Sequence, residues 1–240
     1  MSTVLITGAS RGLGLEFAKQ YATDGATIIA CCRMPAKAKE LQALAKAHKN
    51  IQIEKLDVNE AKSIKALAKK LKSKAIDILI NNAGVISGDK KRAPVSAQAN
   101  GQSLGSIDAK AWLTVLKTNA IAPLMVLEAF LPQILQGKER KVVNITSRMG
   151  SINDMGTGYI AYRTSKAALN AAMANISLDL TAKKIAWVNL HPGWVKTDMG
   201  GQGADITPPV SVTGMRAVIG RLTLKTTGQF LGYDGKVIPW

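Results

Sequence analysis

Six short apolar runs, most of them β-branched, punctuate this chain, and between them apolar residues recur at three- and four-residue spacing. The runs are Val4-Leu5-Ile6, Thr27-Ile28-Ile29-Ala30, Ile51-Gln52-Ile53, Ile76-Asp77-Ile78-Leu79-Ile80, Val142-Val143-Asn144-Ile145 and Ile185-Ala186-Trp187-Val188-Asn189-Leu190. Helical spacing covers 12–24, 36–48, 60–72, 108–136 and 161–183. Strands this apolar need cover on both faces, and strand-helix alternation supplies it through right-handed crossovers. The pattern predicts an α/β fold with a doubly wound parallel sheet between two helix layers, a three-layer α/β/α sandwich.

One hydrophobic core can still serve 240 residues, so 1–240 reads as a single domain, without internal repeat or long polar linker. Apolar residues make up 47% of the chain but come in runs broken by charge or glycine; none reaches the length that spans a bilayer, so no membrane partner is expected. The N-terminus enters a strand pattern at once, without the charged region and cleavage site of a secretory signal, and reads as cytoplasmic. Cys31 and Cys32 are adjacent and cannot close a loop, and two histidines make no ligand cluster; a metal-free mechanism in a reducing compartment follows.

Lys plus Arg outnumber Asp plus Glu by 32 to 16, an excess that would suit nucleic acid, an acidic membrane surface or a phosphorylated cofactor. Much of it is lysine between Lys37 and Lys74, on helix faces opposite alanine and leucine. That stretch has no aromatic residue for stacking on bases. It reads as solvated surface, and nucleic acid is not expected as a partner.

The segments richest in helix breakers, 84–106 and 191–214, both follow predicted strands, and in open α/β sheets ligands bind at the carboxyl ends of strands. The first strand runs directly into Thr7-Gly8-Ala9-Ser10-Arg11-Gly12-Leu13-Gly14 and then a helix. In a Rossmann-type fold Gly8 can take the tight turn, Gly12 can let backbone approach a pyrophosphate, and Gly14 can permit close helix packing, with helix N-terminal amides facing the phosphates. A turn with no ligand would look similar on this segment alone. The second strand ends Cys31-Cys32-Arg33. A neutral Cys32 stands where a carboxylate would hold the adenosine ribose, and Arg33 follows it, which favours NADP(H) over NAD; Arg11 could supply a second cation.

Tyr162-Arg163-Thr164-Ser165-Lys166 opens a long helical pattern, and spacing of four puts the tyrosine and lysine on one face. A lysine cation close by would lower the phenol's pKa and make Tyr162 usable as acid or base. Ser147 follows the fifth strand at the same sheet edge and can hydrogen-bond a carbonyl oxygen. Tyr159 and Ser151 are the competing residues, but Tyr159 has Arg163 at the fourth position and Ser151 lies farther past the strand.

With these motifs in this order the chain resembles the short-chain dehydrogenase/reductase family along nearly its whole length. Supporting marks are Asn81-Asn82-Ala83-Gly84 after the fourth strand, Asn119 in the long helix and His191-Pro192-Gly193-Trp194-Val195-Lys196-Thr197 after the sixth. The segment 147–152 and the ending 230–240 are similar to the sniffer and C-factor group of carbonyl reductases within it. The resemblance implies a catalytic tetrad of Asn119, Ser147, Tyr162 and Lys166. Ser147 would hold the carbonyl oxygen and Tyr162 would protonate it. Lys166 would bind the nicotinamide ribose, and Asn119 would position a water that reconnects Lys166 to solvent. It also implies a cofactor shell: Gly8, Ser10, Arg11, Gly12, Leu13 and Gly14 in the turn, Arg33, then Asp57 and Val58 at the adenine. Asn82, Ala83 and Gly84 continue it, with Pro192, Gly193 and Val195 at the nicotinamide and Thr197 at the carboxamide. For Asp57 a helix N-cap is the competing role.

Met149, Met155, Gly156, Trp194 and Met199 would flank the nicotinamide, which suits an apolar or aromatic aldehyde or ketone as the small-molecule substrate. Gly200, Gly201 and Gly203 suggest a flexible lid. Alanines at 167, 168, 171, 172 and 174 offer a smooth helix face for a homodimer or homotetramer. The expected activity is an NADP(H)-dependent carbonyl–alcohol oxidoreductase; the alternative is a dinucleotide-sensing or signalling module that keeps the site without essential chemistry.

Overall fold

The computed structural model describes residues 1–87 and 102–240. In chain order the elements are β1 (Thr3–Thr7), α1 (Gly12–Thr23), β2 (Thr27–Cys32), α2 (Lys39–Ala47), β3 (Ile51–Lys55), α3 (Ala61–Lys70) and β4 (Ile78–Asn81). Then come α4 (Ala109–Leu116), a π-turn (Lys117–Ile121), α5 (Ala122–Gln136), β5 (Lys141–Ile145), α6 (Ile160–Asn175) and α7 (Ser177–Ala182). The chain finishes with β6 (Ala186–His191), α8 (Pro208–Arg221) and β7 (Gln229–Gly232).

The strands form one parallel sheet in the order β3-β2-β1-β4-β5-β6-β7, as the alternation predicts. From β1 the chain winds outward one way through β2 and β3 and the other way through β4 to β7. The reversal opens a crevice at the carboxyl ends of β1 and β4.

Strand alternation divides the core into two layers. Ile6, Ile28, Ala30 and Cys32 pack on Phe17 of α1, Leu41 of α2 and Met215 of α8. Leu5, Ile29, Cys31 and Leu79 pack on Ile64 of α3, Phe130 of α5 and Leu169 of α6.

The structure departs from the sequence expectations in several places, among them the helical span 161–183, which breaks at Ile176 into α6 and α7. The fourth strand begins at Ile78, because the Asp77 carboxylate is occupied in accepting the N–H groups of Thr3, Lys138 and Glu139 at the sheet's lower edge. The breaker-rich span 191–214 contains the start of α8, whose Pro208 and Pro209 sit where a helix tolerates proline. A seventh strand, only four residues long, closes the sheet. Finally, the helical run Ala109–Gln136 is long and apolar enough to cross a membrane, contrary to the reading of the apolar runs, with half of its most apolar window buried. Val126, Phe130 and Ile134 on that run face the sheet, which accounts for much of its apolarity. Of the segment 84–106, residues 88–101 lie outside the described residues.

Candidate active site

The site assembles where β1, β4, β5 and β6 end. Gly8 has φ +69°, and a Cβ there would lie 2.9 Å from Cα of Ala83. A Cβ on Gly14 would lie 2.4 Å from the Gly8 carbonyl oxygen and 2.5 Å from Nδ2 of Asn82. Only a chain without side chains at these positions lets α1 start against the sheet. Asn82 binds this turn from the neighbouring strand end, its Nδ2 donating to the carbonyls of Thr7 at 2.9 Å and Gly8 at 3.2 Å. The Thr7 hydroxyl accepts from the N–H groups of Asn82 and Ala83, each at 3.0 Å.

Arg11 holds the cap position of α1 in extended backbone and its side chain makes no capping hydrogen bond. The amides of Gly12, Leu13 and Gly14 therefore face the crevice with the positive end of the helix dipole. A pyrophosphate fits such a turn: the glycines clear space and the open amides supply donors. Ser10 is half-buried beside it, and the Ala9 N–H donates to Cys31 at 2.9 Å, tying the turn to β2.

At the end of β2 Cys32 is buried and neutral, its thiol pKa raised by burial. Arg33 is exposed and makes no ion pair among the described residues. Arg11 does not stand free: its guanidinium pairs with the Asp198 carboxylate at 2.9 Å, both largely exposed. Asp57 does not cap α3, whose cap position is Glu60. Its Oδ1 accepts from the Asn59 N–H at 3.0 Å and its own N–H donates to Ser63 Oγ at 3.0 Å, shaping the turn after β3 beside the buried Val58.

Ser147, Tyr162, Lys166 and Asn119 are all buried together behind this crevice. Ser147 lies two residues past β5 as the cap of a short turn, its Oγ accepting from the Met149 N–H at 3.1 Å and reaching the Tyr162 phenol. Lys166 Nζ donates to the Ile145 carbonyl at 2.8 Å and lies 5.7 Å from the centre of the Tyr162 ring. Gly84 and Gly150 make room for it: a Cβ on Gly84 would come 3.7 Å from Nζ, and one on Gly150 would come 2.7 Å from the Lys166 Cβ.

The sequence expects the lysine cation to lower the Tyr162 pKa, and in the folded chain burial works the other way. Burial pushes the Tyr162 pKa up, and the hydrogen bond from Ser147 works against that rise. Burial also lowers the Lys166 pKa to about 8, so its charge is costly where it sits and is partly offset by the Ile145 carbonyl.

Asn119 lies in the π-turn, a distortion of the kind that recurs at functional sites. Its amide is taken up by protein: Oδ1 accepts from the Val85 N–H at 2.9 Å, while Nδ2 donates to the Val85 carbonyl at 2.7 Å and to Ser165 Oγ at 3.0 Å. Of the competing residues, Tyr159 is the left-handed cap of α6, with φ +53°. Ser151 is fully buried, and its hydroxyl accepts the Asp154 N–H.

The loop after β6 returns to the glycine turn. Gly193 has φ +83°, and a Cβ there would press on Ile206 at 2.6 Å. Pro192 offers its carbonyl to Ser211 Oγ. Val195 bridges Ile206, which pinches the loop's base, and Thr197 lies against Gly12, where a Cβ would meet its methyl at 3.6 Å. The Trp194 indole donates to the Gly200 carbonyl at 2.8 Å, so this glycine is part of a tied turn. Sequence reasoning missed Asp198, Ser165 and Gln102. Only Asp198 carried a signal, as an acid next to an expected contact; the other two act through the fold.

The ensemble can hold a carbonyl oxygen between two hydroxyls, one of them backed by an ammonium group, next to an anion-binding turn. The family model described as short chain dehydrogenase matches residues 2–205. The C-signal protein of Myxococcus xanthus is 41% identical over 179 residues, 74% of this chain and 100% of that protein. The NADPH-bound carbonyl reductase from chicken fatty liver superposes with a TM-score of 0.88 at 37% identity, covering 100% of this chain and 99% of that one. The carbonyl reductase Sniffer of D. melanogaster gives 0.89 at 35% identity, with 100% of both chains covered. With its sheet order, its glycine turn and its buried Ser–Tyr–Lys cluster, the chain belongs to the short-chain dehydrogenase family of oxidoreductases.

Proposed function

We propose that the protein reduces an apolar or aromatic aldehyde or ketone with NADPH. The observation that carries this reading is the burial of Ser147, Tyr162 and Lys166 in one cluster beside an uncapped helix N-terminus. When bound, the dinucleotide supplies the hydride that the carbonyl carbon accepts. Ser147 Oγ donates a hydrogen bond to the carbonyl oxygen, and Tyr162 Oη gives that oxygen its proton. Lys166 favours the resulting phenolate electrostatically and is the group from which the phenol regains its proton. Exposed Met155, Trp194 and Met199 on the flanking loops support an apolar substrate.

NADP is preferred over NAD because Arg33, exposed and without an ion pair among the described residues, stands at the end of β2 and the buried Cys32 offers no carboxylate to a ribose hydroxyl. The test follows oxidation of NADPH and of NADH in the presence of 4-nitrobenzaldehyde, menadione and hexanal. Faster turnover with NADPH is expected; tight NADPH binding with no turnover would instead favour a sensing or signalling role. Arg33→Asp is expected to weaken NADPH relative to NADH by roughly tenfold or more, since one charge-assisted contact is lost. An unchanged ratio would remove Arg33 from cofactor selection.

Pairing of subunits through the alanine face of α6 is part of the same proposal, with Ala171 and Ala174 exposed on it. Light scattering of the purified chain decides between monomer, dimer and tetramer.

A further inference from the structure

The first N–H groups of a helix have no partner within it and need one from elsewhere. The helix α6, which carries Tyr162 and Lys166, begins after Tyr159, and no side chain at the cap position supplies that partner. Gln102, which lies 60 residues before Tyr162 and is buried with 2% exposure, does so instead. Its Oε1 accepts the N–H of Tyr162 at 3.0 Å, and its main-chain carbonyl accepts the N–H of Ile160 at 3.0 Å. Its Nε2 donates to the Ile86 carbonyl at 2.7 Å.

The other backbone group of Tyr162 is also held. The Tyr162 carbonyl accepts from Ser165 Oγ at 2.7 Å, Ser165 Oγ accepts from Asn119 Nδ2 at 3.0 Å, and the Asn119 amide grips both polar groups of Val85. The N–H and the C=O of Tyr162 are thus fixed by two buried amide side chains that both anchor on the adjacent pair Val85-Ile86.

We propose that Gln102 is a positioning residue for the reaction assigned above: it sets the main chain of Tyr162, and through it the reach of the phenol to Ser147 and Lys166. The inference rests on Tyr162 being the proton donor. Gln102 stands at the bare start of the helix that carries Tyr162, its side-chain oxygen, side-chain nitrogen and main-chain carbonyl all bonded to backbone, so it acts through Tyr162.

The experiment compares Gln102→Met, which keeps the bulk and removes both side-chain hydrogen bonds, with Gln102→Glu, which keeps an acceptor for the Tyr162 N–H. Each is also made with Tyr162→Phe. In the NADP⁺ complex, the ultraviolet tyrosinate absorbance of a protein minus that of its Tyr162→Phe partner reports the titration of this one phenol, with no carbonyl substrate required. The expected result is an upward shift of that midpoint in Gln102→Met, with NADPH affinity by fluorescence unchanged and a smaller shift in Gln102→Glu. With 4-nitrobenzaldehyde or menadione, kcat is expected to fall on the order of ten- to a hundredfold in Gln102→Met, with KM little changed.

An unmoved midpoint, or losses in midpoint and NADPH affinity that go together in both variants, would overturn the role of Gln102. Tyr162→Phe that still turns over would instead overturn the catalytic reading on which it rests, so the two failures are distinguishable.

Discussion

Lys166 shows how a single buried charge trades stability for chemistry. Its folded pKa is depressed by burial from 10.5 to about 8, so between these values the unfolded chain binds more protons and stability rises with pH. At neutral pH the whole cost is present. Lys166→Met is expected to raise the unfolding free energy at pH 7 by on the order of 1–3 kcal/mol and to lose this advantage by pH 10, while abolishing turnover. Denaturant melts of both proteins at the two pH values check it. His191 gives the acid counterpart. Burial first, then the Arg148 cation, lowers its pKa to about 4, against the pull of Asp234, and its buried Nδ1 has no hydrogen-bond partner among the described residues. The unfolded chain, titrating near 6.5, takes up the proton first on acidification, so stability is lost as pH falls from 6.5 toward 4. His191→Phe is expected to lose less Tm between pH 7 and pH 4.5 than the parent; equal losses would assign acid lability to other groups. Residue identities at the site were legible because spacing and strand ends announce them. What each side chain is bonded to was not: the amides of Asn82 and Asn119 are taken up by backbone of other segments, which no local pattern shows.

At the scale of elements, the glycines separate those that the fold needs from those it tolerates. Gly14→Ala would drive a methyl into the Gly8 carbonyl, so α1 must lift from the sheet. A loss of about 2 kcal/mol or more, together with weakened NADPH binding, is expected from thermal melts with and without cofactor. Gly220 lies inside α8 with open space where its Cβ would be, and Gly220→Ala is expected to stabilise by about 1 kcal/mol. The strands β1, β2 and β4 to β6 were legible because buried parallel strands are mostly apolar runs, and the edge strand β3 through its Ile-Gln-Ile alternation. The helix α8 was hidden by its own packing: a Cβ at Gly214 would meet the Tyr233 carbonyl at 2.5 Å, and the glycine this demands dilutes the periodicity. Four-residue β7 is too short to carry a period at all.

Over the whole molecule, the formal charge is +16, and the proposed cofactor is a polyanion. NADPH association is expected to slow severalfold as ionic strength rises from about 0.01 M to 0.3 M, where screening shortens to less than a protein radius. Stopped-flow binding measures it, and a salt-independent rate would confine electrostatics to the contact residues. The two-layer plan behind this surface was legible in the alternation, since each strand must face both ways. Cys31 and Cys32 are neighbours in sequence yet point into opposite layers, both buried and both free. The chain therefore carries a built-in pair of chemical clocks. A thiol-modifying reagent can reach each sulfur only when its own side of the sheet breathes, so the order in which the two are tagged records which layer opens first.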